Sequence, residues 1–238
     1  MNRNARKYPK VGDPRCAPAY TIAEVSRYVG IPCATVRSWV VGRAYPVKSG
    51  RHYFQPVTIP PDKKFRQLSF LNLVEIYVLG AIRREHRIPL PGVRKAIGYL
   101  REQFGSRHPL AEQKIETDGR DLFIRWLNSL INISREGQLA MPEFLDAHLK
   151  RIEWDTSGLA SRLYLLTRRQ DLYSPKVVVI DPRISFGRPV LKGTGIATAV
   201  IADRYKGGET IRELAHDYDR DPLDIEEAIR CELVLDAA

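Results

Sequence analysis

Thr35, Arg37, Ser38 and Trp39 stand within five consecutive residues, and Arg43, Lys48, Arg51 and Tyr53 follow within the next fourteen. Short hydroxyls beside a guanidinium can donate and accept at the edges of stacked bases. Scattered Arg and Lys can meet phosphates. A second set, Arg183, Arg188 and Lys192, spans ten residues without an intervening carboxylate. Guanidinium groups in such a segment are suited to two-pronged pairing with carboxylates, on a partner or on the acidic helices of the same tail. No nucleophile–base pair or carboxylate dyad stands out. No catalytic residue is therefore assigned, and an enzyme is not expected. Cys16, Cys33 and Cys231 are odd in number and lack zinc spacing, so the reading is reduced thiols in a cytoplasmic protein, with no metal or cofactor site.

The first set needs a scaffold, and the stretch TIAEVSRYVGIPCATVRSWV supplies one. Ile22, Val25 and Val29 recur at helical spacing after Thr21, a helix-capping residue type. Gly30 can take the left-handed turn that stops the helix. Ile31 would plug the turn, while Val36 and Val40 face inward from a second helix. That orientation leaves Thr35, Arg37, Ser38 and Trp39 for solvent or a ligand. The pair fits either a packing corner or a helix pair that reads a DNA groove. Residues 43–60 read as a hairpin turning at Lys48-Ser49-Gly50. Ser69 then caps an apolar helix, broken by Pro89 and Pro91, before a helix lined by Val93, Ile97, Leu100 and Phe104.

Further on, Asp118-Gly119 marks a hairpin, and MPEFLDAHLKRIEW reads as helical. SPKVVVIDPRI gives a short strand, followed by helices near 197–206, 210–218 and 222–235. Thr210 with Glu213 has capping-box spacing, and Pro222 follows Asp221 at a helix start. The order Lys192-Gly193-Thr194 is wrong for a phosphate-binding P-loop, so those glycines read as a turn.

Charge divides the 238 residues. Residues 1–115 carry a balance of +14, residues 116–238 one of −4, and residues 207–238 alone one of −7. The front favours a polyanion and the tail does not. No apolar run has the roughly 18 residues that a membrane helix needs, so no membrane partner is expected.

GIPCATVRSWVVGRAYPVKSGRHYF and SFLNLVEIYVLGAIRREHRIPLPGVRKAIGYL together resemble the DNA-binding domain of MerR-type regulators, without an effector-binding cysteine pattern or a long heptad helix. DPRISFGRPVLKGTGIATAVIADRYKGGETIRELAHDYDRDPLDIEEAIRCEL is similar to a small bacterial domain formerly of unknown function. Gly195 stands there where that family usually has Arg. Jointly the two segments resemble a VapB-type antitoxin. The resemblance implies a mainly α fold with short β-hairpins. It implies an N-terminal winged helix-turn-helix and a C-terminal three-helix, homeodomain-like module.

The expected organisation is a flexible basic arm over 1–18, a MerR-like DNA-binding domain over 19–110, a hairpin and helical region serving dimerisation over 111–172, and an antitoxin-type domain over 173–238. The resemblance implies two partners: operator double-stranded DNA, met by Thr35, Arg37, Ser38, Trp39, Arg43, Lys48, Arg51 and Tyr53, and a cognate PIN-like ribonuclease toxin, met by Arg183, Arg188 and Lys192. A homodimer that represses its own operon follows from two-fold operators. The alternative is a free-standing regulator whose C-terminal half binds a ligand or a protein.

Overall fold

The computed structural model describes residues 12–47, 50–62, 64, 66–86, 90–115, 143–168, 171 and 173–236. Lys48, Ser49, Pro89, the arm up to residue 11 and the Asp118-Gly119 hairpin lie outside them. No helix among the described residues is long and apolar enough to cross a membrane.

The centre of the front half is α3 (Phe70–His86), whose sequence is apolar nearly all round and whose residues up to Ile82 are all buried. Two of its buried polar side chains, Asn72 and Glu75, are hydrogen-bonded within the fold. Asn72 donates to the Thr58 hydroxyl at 2.8 Å and the Ile59 carbonyl at 3.0 Å. Glu75 accepts from Thr58 at 2.5 Å and lies 3.0 Å from His108 Nδ1. Ser69 caps the helix through the Asn72 N–H.

Against α3 pack α1 (Ile22–Val29), α2 (Cys33–Val41) and α4 (Leu90–Phe104), together with two 3-10 turns at Pro109–Ala111 and Gln113–Ile115. Between α2 and α3, strands β1 (Arg43–Val47) and β2 (Gly50–Phe54) pair antiparallel with Val47 opposite Gly50. The close approach of the α1–α2 turn to α3 depends on Gly80. A Cβ there would meet Ile31 Cδ1 at 2.4 Å.

Helix α5 (143–149) leads into a four-stranded antiparallel sheet in sequence order: β3 (Ile152–Trp154), β4 (Ala160–Tyr164), β5 (Val178–Ile180) and β6 (Val190–Leu191). The stretch read as helix through Trp154 therefore ends in a strand. The sheet also joins 152–164 directly to 178–191, across the division expected at residues 172 and 173. Three helices follow: α6 (Thr198–Lys206), α7 (Ile211–Tyr218) and α8 (Pro222–Asp236). They close over a small core of Leu191, Ile201, Leu214, Ile225, Ala228 and Ile229.

The arm expected over 1–18 is anchored from Asp13 onward. Arg15 forks onto Asp13 and reaches Asp155 at 2.6 Å, and its carbonyl accepts from the Leu71 N–H. Burial raises the Asp155 carboxyl, but bonds from Ser157, the Leu159 amide and Arg15 outweigh it and hold the group at about 2.

Candidate nucleic-acid interface

Thr21 accepts from the Glu24 N–H while Glu24 accepts from the Thr21 N–H at 2.8 Å, a reciprocal capping box that starts α1. Gly30 ends it in the left-handed conformation, φ 63°. Ser26 then donates to the Ile31 carbonyl at 2.5 Å and fixes the turn. Val25, Val29, Ile31, Val36 and Val40 are buried, which orients α2 with one face outward. On that face Cys33, Ala34 and Arg37 are exposed, with Thr35 and Ser38 half-buried beside them. Pro32, at the N-cap of α2, makes no side-chain capping bond to its first turn.

Trp39 departs from the expectation. It is buried at 2% exposure, with the Arg83 guanidinium 5.8 Å over its ring. Its carbonyl accepts from the Val57 N–H at 2.7 Å. Trp39 shares the inward stripe of Val36 and Val40, so it positions α2 and is not available to a base edge.

The hairpin is fastened to the end of α2. Tyr53, half exposed, donates its hydroxyl to the Val41 carbonyl. Gly42 makes that approach feasible at φ 84°. A Cβ there would lie 2.3 Å from the Phe54 carbonyl oxygen and 2.5 Å from the Tyr53 hydroxyl. Arg43 is exposed at the start of β1, and Arg51 lies in β2 opposite Pro46. The structure thus places Thr35, Arg37 and Ser38 on α2, and Arg43 and Tyr53 on the hairpin fastened to its last turn. Sequence reasoning passed over Cys33, Ala34 and Gly42. Pro32 in the N-cap place and a glycine directly after the last helical residue, Val41, are the signals in the sequence.

Arg183, Arg188 and Lys192 lie around one loop, and their partners were not foreseen. Arg183 forks onto Asp181, which also accepts from Arg162 at 2.9 Å. Burial raises Asp181, but the Arg183 and Arg162 bonds prevail and hold its carboxyl at about 2. Arg188 pairs with Glu24 of α1 and reaches the Tyr28 hydroxyl at 3.4 Å. Burial raises Glu24 too, yet the Thr21 amide and Arg188 leave it below the usual carboxylate range. Lys192 sits 5.5 Å over the Tyr164 ring. The acidic tail helices do not supply the partners of Arg183 and Arg188. The two arginine partners lie at the end of β5 and in α1, where the backbone brings carboxylates within reach.

Tyr20, buried, donates to the Gly187 carbonyl at 3.0 Å. With the Arg188–Glu24 pair, this bond ties the loop after β5 to the entrance of α1.

The family model described as "Putative DNA-binding HTH domain" matches residues 18–97, and that described as "Protein of unknown function (DUF433)" matches residues 178–230. Two proteins of Mycobacterium tuberculosis (strain ATCC 25618 / H37Rv) are similar along most of the chain. "Putative antitoxin VapB45" is 31% identical over 229 residues, covering 89% of this chain and 92% of that protein. "Uncharacterized protein Rv2308" is 27% identical over 218 residues, covering 88% of each. The crystal structure of Rv2018 from Mycobacterium tuberculosis superposes with a TM-score of 0.67 at 27% identity, covering 90% of this chain and 98% of that one.

Proposed function

Because the chain belongs to the family of "Putative antitoxin VapB45", we propose that it is a non-catalytic antitoxin and DNA-binding regulator. It neutralises a PIN-like ribonuclease toxin and represses its own operon. The observation that carries the DNA half of this reading is the outward face of α2, held beside a hairpin in the half of the chain with a +14 balance. In this reading α2 enters the major groove in the manner of a MerR-type winged helix-turn-helix. Arg37 meets a base edge, with Thr35 and Ser38 beside it. Arg43, Lys48, Arg51 and Tyr53 serve the flanking backbone. The first turn of α2, exposed at Cys33 and Ala34, offers N–H groups to a phosphate. Trp39, buried beneath Arg83, lies outside the contact set.

The toxin falls to the C-terminal module, whose acidic helices repel a polyanion, and Arg183, Arg188 and Lys192 stay its candidate contacts. A homodimer presents two α2 faces to a two-fold operator. The test is neutralisation. The product of the open reading frame beside this gene is assayed as a ribonuclease with and without the purified chain. Suppression at about one equivalent is expected. Undiminished cleavage, or no cleavage to suppress, would count against the reading.

A further inference from the structure

The loop that closes β5 onto β6 holds three successive residues in left-handed backbone: Ser185 at φ 47°, Phe186 at φ 54° and Gly187 at φ 73°. Two of them carry side chains, which adopt this conformation rarely and only where surrounding bonds impose it. Here the bonds are plain. The Gly187 N–H donates to the Ile184 carbonyl at 2.9 Å, and the Arg188 N–H to the Ser185 carbonyl at 3.0 Å. The Ser185 hydroxyl reaches the Gly195 carbonyl at 2.9 Å, and Tyr20 holds the Gly187 carbonyl from below. A Cβ on Gly187 would strike the Tyr20 hydroxyl at 2.2 Å, so the seat admits only glycine.

What this framework holds up is the Phe186 ring, 94% exposed. Nothing within the fold is gained by fixing an aromatic ring in water on a strained turn. A partner that buries it gains a rigid anchor whose ordering cost is already met by the fold.

The segment that carries the ring turns positive charge outward. From Pro182 to Gly195 there are three cations and no carboxylate. The Arg183 side chain is 58% exposed while its partner Asp181 is 1% exposed, and Arg188 is 46% exposed against 24% for Glu24. Lys192 is exposed as well. Complementarity therefore asks for an apolar slot rimmed by carboxylates. That description fits a folded protein surface better than a nucleic acid, because residues 207–238, which include α7 and α8, carry a −7 balance and would repel phosphates.

We infer that Phe186 is the central anchor by which this chain docks into an acid-rimmed apolar slot on its toxin. The inference rests on the antitoxin reading and specifies which face meets that partner and how.

The probe is the purified product of the adjacent reading frame, titrated with the full chain by calorimetry, and the informative variant is Phe186→Gly. Glycine relieves the left-handed strain, so its melting temperature should equal or exceed the wild type, which separates lost contact from lost folding. Binding should weaken at least about thirty-fold, the scale of an interface hot spot. Phe186→Trp should retain affinity within about five-fold. Wild-type binding with Phe186→Gly within about three-fold would overturn the inference and leave the antitoxin reading intact. No binding by the wild type would overturn both. A change in the chain's own mass in solution on Phe186→Gly would assign the ring to a second copy of this chain. Loss of single-stranded RNA binding instead would assign it to base stacking. Either result would overturn the inference as well.

Discussion

Arg151 is among the largest fully buried side chains, at 2% exposure, and its guanidinium donates to four backbone carbonyls. Nε donates to Tyr164 at 3.0 Å, Nη1 to Ser174 at 2.8 Å, and Nη2 to Leu165 at 2.7 Å and Pro175 at 3.3 Å. These carbonyls belong to the end of β4 and to the segment that returns to β5. One side chain thus holds the connection on which the C-terminal module hangs. Arg151→Met keeps most of the volume and donates nothing. A buried acceptor without a donor costs about 1–3 kcal/mol. Several acceptors lose their donor at once, and relief of the desolvated guanidinium charge offsets part of that cost, which leaves a net of about 3–5 kcal/mol. For a chain of this length each kcal/mol is about 2–4 °C in melting temperature, so a fall of roughly 6–20 °C is expected. Arg151→Lys keeps the charge without the planar fork and should fall between. Differential scanning calorimetry at neutral pH reads the three proteins side by side. A melting temperature for Arg151→Met within about 2 °C of wild type would refute the reasoning, since these carbonyls would then need no donor.

Two further outcomes follow from other sites. Gly42→Ala places a Cβ against the Phe54 carbonyl and the Tyr53 hydroxyl at a backbone conformation open to glycine. A loss of roughly 2–4 kcal/mol in urea unfolding is expected, together with weaker DNA binding as the hairpin leaves α2. Asp181 titrates at about 2 in the folded chain against an ordinary 3.8. A depressed carboxyl stabilises the fold above its unfolded value, and that stability is lost as pH falls from about 4 toward 2. Urea midpoints measured across that window should drop less steeply in Asp181→Asn than in wild type.

Much of the front was legible because local rules and tertiary packing agree there. Thr21, Gly30 and the apolar spacing mark α1 and α2, and Thr210 with Glu213 marks α7. Trp39 was misassigned although its spacing from Val36 and Val40 places it on the buried stripe. Its amphipathic ring suits a groove as readily as a core. Of the four-stranded sheet only β5 was legible, as the apolar run in SPKVVVIDPRI; β3, β4 and β6 are two to five residues long and pair across connections with no periodic signal. Likewise, no local pattern links Arg188 to Glu24, 164 residues away in sequence. Phe186 reads as a core residue by type, and only the left-handed backbone around it turns the ring outward.

The central claim is that the outward face of α2 reads DNA. Its most direct test is a fluorescence-anisotropy titration of the full chain on the duplex upstream of its own gene, repeated from about 50 to 200 mM salt. The wild type should bind with log K falling linearly in log salt concentration. Arg37→Ala should weaken binding by roughly 5–150-fold at fixed salt, the span of a lost base contact worth about 1–3 kcal/mol. Salt-insensitive binding, no binding, or an unchanged affinity for Arg37→Ala would contradict the account.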